Sequence, residues 1–136
     1  MIKKILYSLM IVAALLSSSC ASMKRTQPVL NFSQQLVPNS LTTEQVKKCI
    51  LLAGVKRKWH MREIHPGIIH GIINVRSHEA EIDIPYSNKE YSINYRSSEN
   101  LKYNDGMIHR NYNKWIKLLN AAIQKNMRST LIKDLK

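Results

Sequence analysis

The chain has 136 residues and carries 21 Lys and Arg against 9 Asp and Glu, a formal net charge of +12. That length holds one ordinary domain, and no internal repeat or low-complexity segment divides it. A charge of this size in a cytosolic protein would point to nucleic acid. The first twenty residues remove that reading.

Met1-Ile2-Lys3-Lys4 is followed by the apolar run "ILYSLMIVAALL", three serines and Cys20. Basic residues, a short apolar core and small residues before a cleavage point define a secretory signal over residues 1–19. A dozen helical residues reach only about 18 Å, too short for a hydrocarbon core of ~30 Å. "LLSSSC" resembles the lipobox of bacterial lipoproteins, in which the cysteine is acylated and becomes the new N-terminus. Those sequences usually carry Leu three places before the cysteine; here Ser17 holds that place and Leu16 the one before it. Ala21 follows Cys20 where an inner-membrane retention signal would have Asp, so the resemblance implies the periplasmic face of the outer membrane. Removing Lys3 and Lys4 leaves a charge of about +10, and an exported chain does not meet chromosomal DNA. Anionic lipid head groups are then the economical partner for the positive charge, besides the bilayer reached through acylated Cys20.

Residues 21–40, "ASMKRTQPVLNFSQQLVPNS", are polar, hold two prolines and have no sustained period. With Cys20 they read as a flexible tether over 20–40, with a mean span of about 25 Å and a limit near 70 Å. The folded domain is expected over 41–136. In "LTTEQVKKCILLAGVKRK", Thr42 and Gln45 fit a capping box, and Val46, Cys49, Ile50 and Ala53 form an apolar stripe. Cys49 belongs to that stripe as a small buried hydrophobe. Gly54 and the basic run Lys56-Arg57-Lys58 mark the helix exit.

Strand signals follow in "KWHMREIH", "IIHGIINVR", "EAEIDIPY" and "YSINYRS". Ala80, Ile82, Ile84 and Tyr86 alternate with Glu79, Glu81 and Asp83, and Tyr91, Ile93 and Tyr95 with Ser92, Asn94 and Arg96. Short intervening loops make neighbouring strands antiparallel. From Ile108 onward, Tyr112, Trp115, Ile116, Leu119, Ala122, Ile123 and Met127 recur at helical steps, so a long C-terminal helix closes the chain. The expected fold is α+β: a helix, an antiparallel meander of three or four strands, and a long helix, with the helices on one sheet face. Ile68 and Ile72 would then lie on the other face beside Glu81 and Asp83, a surface of mixed character suited to an envelope protein partner.

Residues 91–115, "YSINYRSSENLKYNDGMIHRNYNKW", concentrate aromatic and polar groups. This run resembles a family of small, largely uncharacterised envelope lipoproteins of Gram-negative bacteria, which share Tyr-Ser-Ile-x-Tyr, Asn-Leu-x-Tyr and Ile-His-x-x-Tyr-Asn-x-Trp. The similarity spans roughly residues 44–124 and implies an envelope location and this fold, with no established reaction. Its motif positions here are Tyr95, Ser98, Asn100, Leu101, Tyr103, His109, Tyr112, Asn113 and Trp115. Where the family commonly has Arg-Gly-Trp before the first strand, this chain has Arg57-Lys58-Trp59.

Physically, these polar groups form either a clasp or a pocket. As a clasp they satisfy backbone groups of the strand-to-helix crossing, with Asn104 or Asp105 capping the helix. As a pocket, His109, Arg110 and Asn113 meet a small anionic ligand at the positive end of the helix, between tyrosine walls. A hydrolytic Ser98–His109–Asp105 set is the third arrangement, although no nucleophile-elbow glycines flank Ser98. His60, His65 and His70 lack metal-ligand spacing. The expectation is a non-catalytic, membrane-anchored interaction or structural module without cofactor or metal; the alternative is the anionic-ligand or hydrolytic pocket around His109.

Overall fold

A computed structural model describes residues 25–135; the expected signal over 1–19 and the lipidated Cys20 lie outside the described residues. Two short strands come first, β1 (Thr26–Pro28) and β2 (Phe32–Leu36), then helix α1 (Thr43–Lys56). Strands β3 (Trp59–His65), β4 (Ile68–Val75), β5 (His78–Pro85) and β6 (Glu90–Glu99) form the meander. Strand β7 (Met107–His109) leads into α2 (Arg110–Asp134).

The fold is α+β, with a five-stranded antiparallel sheet in the order β2-β6-β5-β4-β3. The alternation read in the sequence sets its two faces. Ile69, Ile73, Ala80, Ile82, Ile84, Tyr91 and Ile93 are buried under the helices. His70, Ile72, Glu81 and Asp83 occupy the other face, where His70 pairs in register with Asp83 and Ile72 with Glu81. An irregularity opposite Glu81 and Ile82 shifts β6 by one residue, so that Ser98 instead of Ser97 lies across from buried Ala80. The bulge turns Ser98 back to the side of Tyr95.

The expected tether is corrected from residue 25 onward. β1 pairs antiparallel with β7, Thr26 opposite His109 and Pro28 opposite Met107. β2 pairs with β6 and forms the edge of the main sheet. The segment lacks a clean sequence period because its two strands are short and β2 contains an irregularity between Phe32 and Gln35, where Gln34 takes φ 47°. Val37 and Leu41 join the core, so the folded body begins before residue 41.

Helix α1 starts as its capping box dictates. Thr42 Oγ1 accepts from Gln45 N at 3.2 Å while Gln45 Oε1 accepts from Thr42 N at 2.8 Å. Gly54 does not mark the exit; it is buried within the helix. A Cβ there would collide with Met61, and one on Gly71 would lie 2.6 Å from Met61 Sδ. The Met61 side chain therefore fits a slot between α1 and β4 that only these two glycines leave open. The two helices are joined by polar bonds: Asn126 Nδ2 donates to Cys49 O at 2.9 Å, and Gln45 Nε2 to Asp134 Oδ2 at 3.0 Å. Cys49 is a free, buried thiol beside Thr130.

Helix α2 buries Tyr112, Ile116, Leu119, Ile123 and Met127 as its period requires. Trp115 lies at the margin of this stripe, partly buried against the core. Within the core, Tyr91 donates its hydroxyl to Asn120 Oδ1 at 2.7 Å. Burial pushes that hydroxyl's pKa up to about 12, so it stays a donor at any physiological pH.

Lys58 has φ 64°, the left-handed region, directly after the C-cap Arg57. The helix exit requires a left-handed residue at this position. A side chain costs ~1–2 kcal/mol in that conformation, of which glycine's greater unfolded-state freedom would take back ~0.5–1 kcal/mol. Lys58→Gly should accordingly raise stability by up to ~1 kcal/mol. A thermal melt followed by circular dichroism checks this; a lowered midpoint would show that the lysine side chain contributes more than its backbone loses.

Candidate functional site

The turn before β7 has a specific local cause. Asp105 and Gly106 both adopt positive φ, 46° and 73°, between Asn104 and Met107, whose backbones exchange two 2.9 Å hydrogen bonds. This is the two-residue hairpin that an Asp-Gly pair favours. Asn104 and Asp105 thus form a hairpin and do not cap α2. His109 is the N-cap: its Nδ1 accepts from Asn111 N at 3.3 Å.

The residues singled out in the sequence fall into three neighbouring groups. The first is aromatic. Tyr95 stacks on Tyr103 at 4.8 Å and meets Tyr112 edge-on at 5.4 Å. Its hydroxyl lies 2.8 Å from Ser98 Oγ. Tyr112 is fully buried, and its hydroxyl has no partner among the described residues. Burial raises the pKa of both Tyr95 and Tyr112.

The second group locks the ends of the meander. Asn100, at φ 56°, donates through Nδ2 to Ser77 O at 2.7 Å, and its own carbonyl lies 2.7 Å from His78 Nδ1. The His78 ring stacks beside His109 at 6.5 Å. His109 N donates to Leu101 O at 2.7 Å.

The third group fastens the N-terminal strands. Asn113, though on a helix, is 6 % exposed and bonded at both ends of its amide. Oδ1 accepts from Leu30 N at 3.0 Å; Nδ2 donates to Pro28 O at 2.9 Å and to Gln27 Oε1 at 3.4 Å. Asn31 Oδ1 extends the clasp by accepting from Tyr95 N at 2.8 Å. Arg110 N donates to Arg25 O at 2.9 Å, which holds the start of the described chain against the start of α2.

Arg110 itself is exposed. With Gln27, Asn113, Lys114, Lys117 and Leu118 it lines an open groove of about 520 Å³ between β1 and the first turns of α2. Burial lowers the His109 pKa first, and the neighbouring Lys102, Arg110, His78 and Arg25 lower it further. The surroundings of the helix start are therefore electropositive. The helical period puts Lys114 and Lys117 on the polar side of α2, and only the presence of β1 alongside turns that side into a groove.

The Ser98–His109–Asp105 arrangement is not assembled. The Ser98 hydroxyl faces Tyr95, His109 Nδ1 is engaged by Asn111 N, and Asp105 lies exposed in the hairpin turn. The other histidines are also apart: His60 and His65 are exposed, while His70 lies between Asp83 at 2.9 Å and Glu81 at 3.3 Å. Among the described residues no group of three or more His, Cys, Asp or Glu side chains is placed to hold a metal ion. Under α1, Glu63 accepts from the Tyr86 hydroxyl and lies 3.4 Å from Lys47 Nζ. The hydrogen bond from Tyr86 is the largest influence holding the Glu63 carboxyl below its usual range. Among the described residues no helix is long and apolar enough to cross a membrane. No protein-family model, curated protein or solved structure matches the chain.

Two outcomes test the clasp. Asn113→Ala leaves the Leu30 amide and the Pro28 carbonyl without their partner. It should cost ~1–3 kcal/mol and speed hydrogen exchange at Leu30 well beyond that in β4 and β5; unchanged exchange would mean the N-terminal strands hold without it. The depressed His109 pKa favours the neutral ring in the folded state. Its stability contribution is therefore complete above the ordinary value of 6.5 and is lost as pH falls from there toward the lowered value. His109→Ser replaces the capping nitrogen with a capping oxygen and should flatten the melting-temperature slope between about pH 5 and 7 relative to the parent chain; parallel slopes would assign the dependence to another group.

Proposed function

We propose that this chain is a membrane-anchored lipoprotein of the bacterial envelope, held at the periplasmic face of the outer membrane by acylated Cys20. It acts there as a non-catalytic interaction or structural module. The observation that carries this reading is where the fold takes hold of the chain. Arg25, five positions after Cys20, is bonded to the start of α2, and β1 begins one residue later. Five residues span at most about 18 Å, so a lipid on Cys20 would keep the domain against the bilayer.

Support for a non-catalytic role comes from how the chemically capable groups are engaged. His109 caps a helix, Ser98 faces Tyr95, Glu63 is bonded by Tyr86, and His70 is fixed between two carboxylates. The resemblance of residues 44–124 to envelope lipoproteins supports the envelope location. One observation favours a second reading: the groove beside Arg110, Lys114 and Lys117 could receive a small anionic ligand. The partners we assign are the bilayer, anionic lipid head groups and an envelope protein; nucleic acid is not among them.

Cys20→Ser tests the anchor. In the host cell the parent chain should incorporate a labelled fatty acid and sediment with the envelope, whereas the variant should lose the label and pass into the soluble periplasmic fraction. A parent chain whose N-terminal peptide has the mass of unmodified residues from Met1 would overturn the reading.

A further inference from the structure

The sheet face away from the helices mixes both signs, its carboxylates lying with Arg62 and Arg96. Among the nine acidic residues, Glu79, Glu81 and Asp83 lie together on β5. Glu81 and Asp83 lie on the sheet face away from the helices, bonded to His70 and Arg96. The opposite layer is basic. From Arg110 to Lys133, α2 contains no acidic residue. One row along it reads Arg110, Lys114, Lys117, Ala121, Lys125, Arg128 and Ile132, at steps of three and four, and every member is exposed. Steps of three and four keep these residues on one helix face, and none of its five cations pairs with a carboxylate among the described residues. Exposed Leu118 adjoins the row, and Ile132 is 59 % exposed. A basic face that carries a few apolar side chains is the composition of helices lying in a bilayer interface.

The direction of the row relative to the chain's attachment completes the argument. Arg25 O is bonded to Arg110 N, so the described chain begins at the N-terminal end of the row. Arg25 adds a cation at that point, and Lys102 lies near His109. The groove at this end is open and cationic, lined by Arg110, Lys114 and Lys117. These are donors of the kind that meet phosphate oxygens.

From this placement we infer that the exposed basic row of α2, together with the groove at Arg110, Lys114 and Lys117, docks the domain flat onto an anionic phospholipid surface. The inference rests on the anchored reading above and supplies what the anchor alone lacks, a fixed orientation. The basic row faces the head groups, and the sheet face bearing Ile72, His70, Glu81 and Asp83 is turned away from the membrane toward the periplasm. Each basic residue near an anionic surface is worth about 1 kcal/mol, so neutralising two should weaken docking about thirty-fold.

The test uses the full lipidated chain in phosphatidylcholine vesicles, with or without one third phosphatidylglycerol, and with a nitroxide-bearing head group as quencher. A dye on Ala121→Cys reports the basic row, and a dye on Asn94→Cys reports the sheet face across from it; both positions are exposed. Docking predicts strong quenching at position 121 and little at 94, only with phosphatidylglycerol, and reversed by high salt. Lys114→Gln with Lys117→Gln should weaken this about thirty-fold without moving the melting temperature, and Lys114→Arg with Lys117→Arg should restore it. Equal quenching at the two positions, quenching independent of phosphatidylglycerol, or tighter binding to a DNA duplex than to these vesicles would each overturn the inference. The mass of the N-terminal peptide separates the two readings. An unacylated Cys20 overturns the anchor alone, and an unquenched dye on an acylated chain overturns the docking alone.

Discussion

The side-chain amide of Asn113 determines how the start of the folded chain is arranged. By taking the Leu30 N–H and giving a hydrogen bond to the Pro28 carbonyl, it substitutes for ladder bonds that β1 and β2 cannot make with each other. Between these strands the backbone must leave β7 and cross to the edge of the main sheet, and its polar groups need partners on the way. Asn31 on Tyr95 N and Ser92 Oγ on Gln34 N perform the same service further along. Once this path is fixed, Val37 and Leu41 fall into the core and α1 can start at its capping box. A hydrophobic residue at position 113 would suit the helix period equally well but would leave two buried backbone groups unmatched.

The sheet face without helices is stabilised differently. His70 is only 9 % exposed although no further layer covers it. Asp83 and Glu81 flank its ring, and Arg96 Nη1 reaches Asp83 at 3.2 Å from the next strand. Individually such half-exposed pairs contribute little, about 0–1 kcal/mol. As a connected set they satisfy one another's hydrogen bonds and keep the two carboxylates Glu81 and Asp83 of β5 tolerable side by side. The bulge in β6 opposite Glu81 and Ile82 contributes to this arrangement. It leaves Arg96 on the acidic side while Ser98, two residues later, joins Tyr95.

Much of this fold was legible in the sequence because its signals are periodic. The alternation in "EAEIDIPY" and, as far as Arg96, in "YSINYRS" placed each side chain on the face it occupies, and the three- and four-residue steps after Ile108 defined the buried side of α2. The clasp was legible as a composition, but its geometry was not. Asn113 reads like any polar residue on a helix, and its partners at Pro28 and Leu30 lie more than eighty positions away. Strands of three and five residues carry too few alternations to register, so β1 and β2 resembled linker. Lys58 shows the opposite case: the local backbone demands a left-handed residue, and the sequence gives no sign of it because lysine there is accepted under strain.

The length of free chain before the domain governs what a lipid at Cys20 could do. A tether extending to residue 40 would reach nearly 70 Å and let the domain tumble, so that any surface might face the bilayer. With the chain secured at Arg25, the reach falls to about 18 Å, less than the length of α2, which is about 37 Å at 1.5 Å per residue over 25 residues. A domain held this close has a high effective concentration of membrane beside its nearest surface, and modest electrostatics then suffice to select one orientation. The nearest surface is the start of α2, where Arg25, Arg110, Lys114 and Lys117 gather. An attachment point at the sheet face, where both signs mix, would hold the basic row away from an anionic membrane; at the head of the basic row, tether and field act in the same direction.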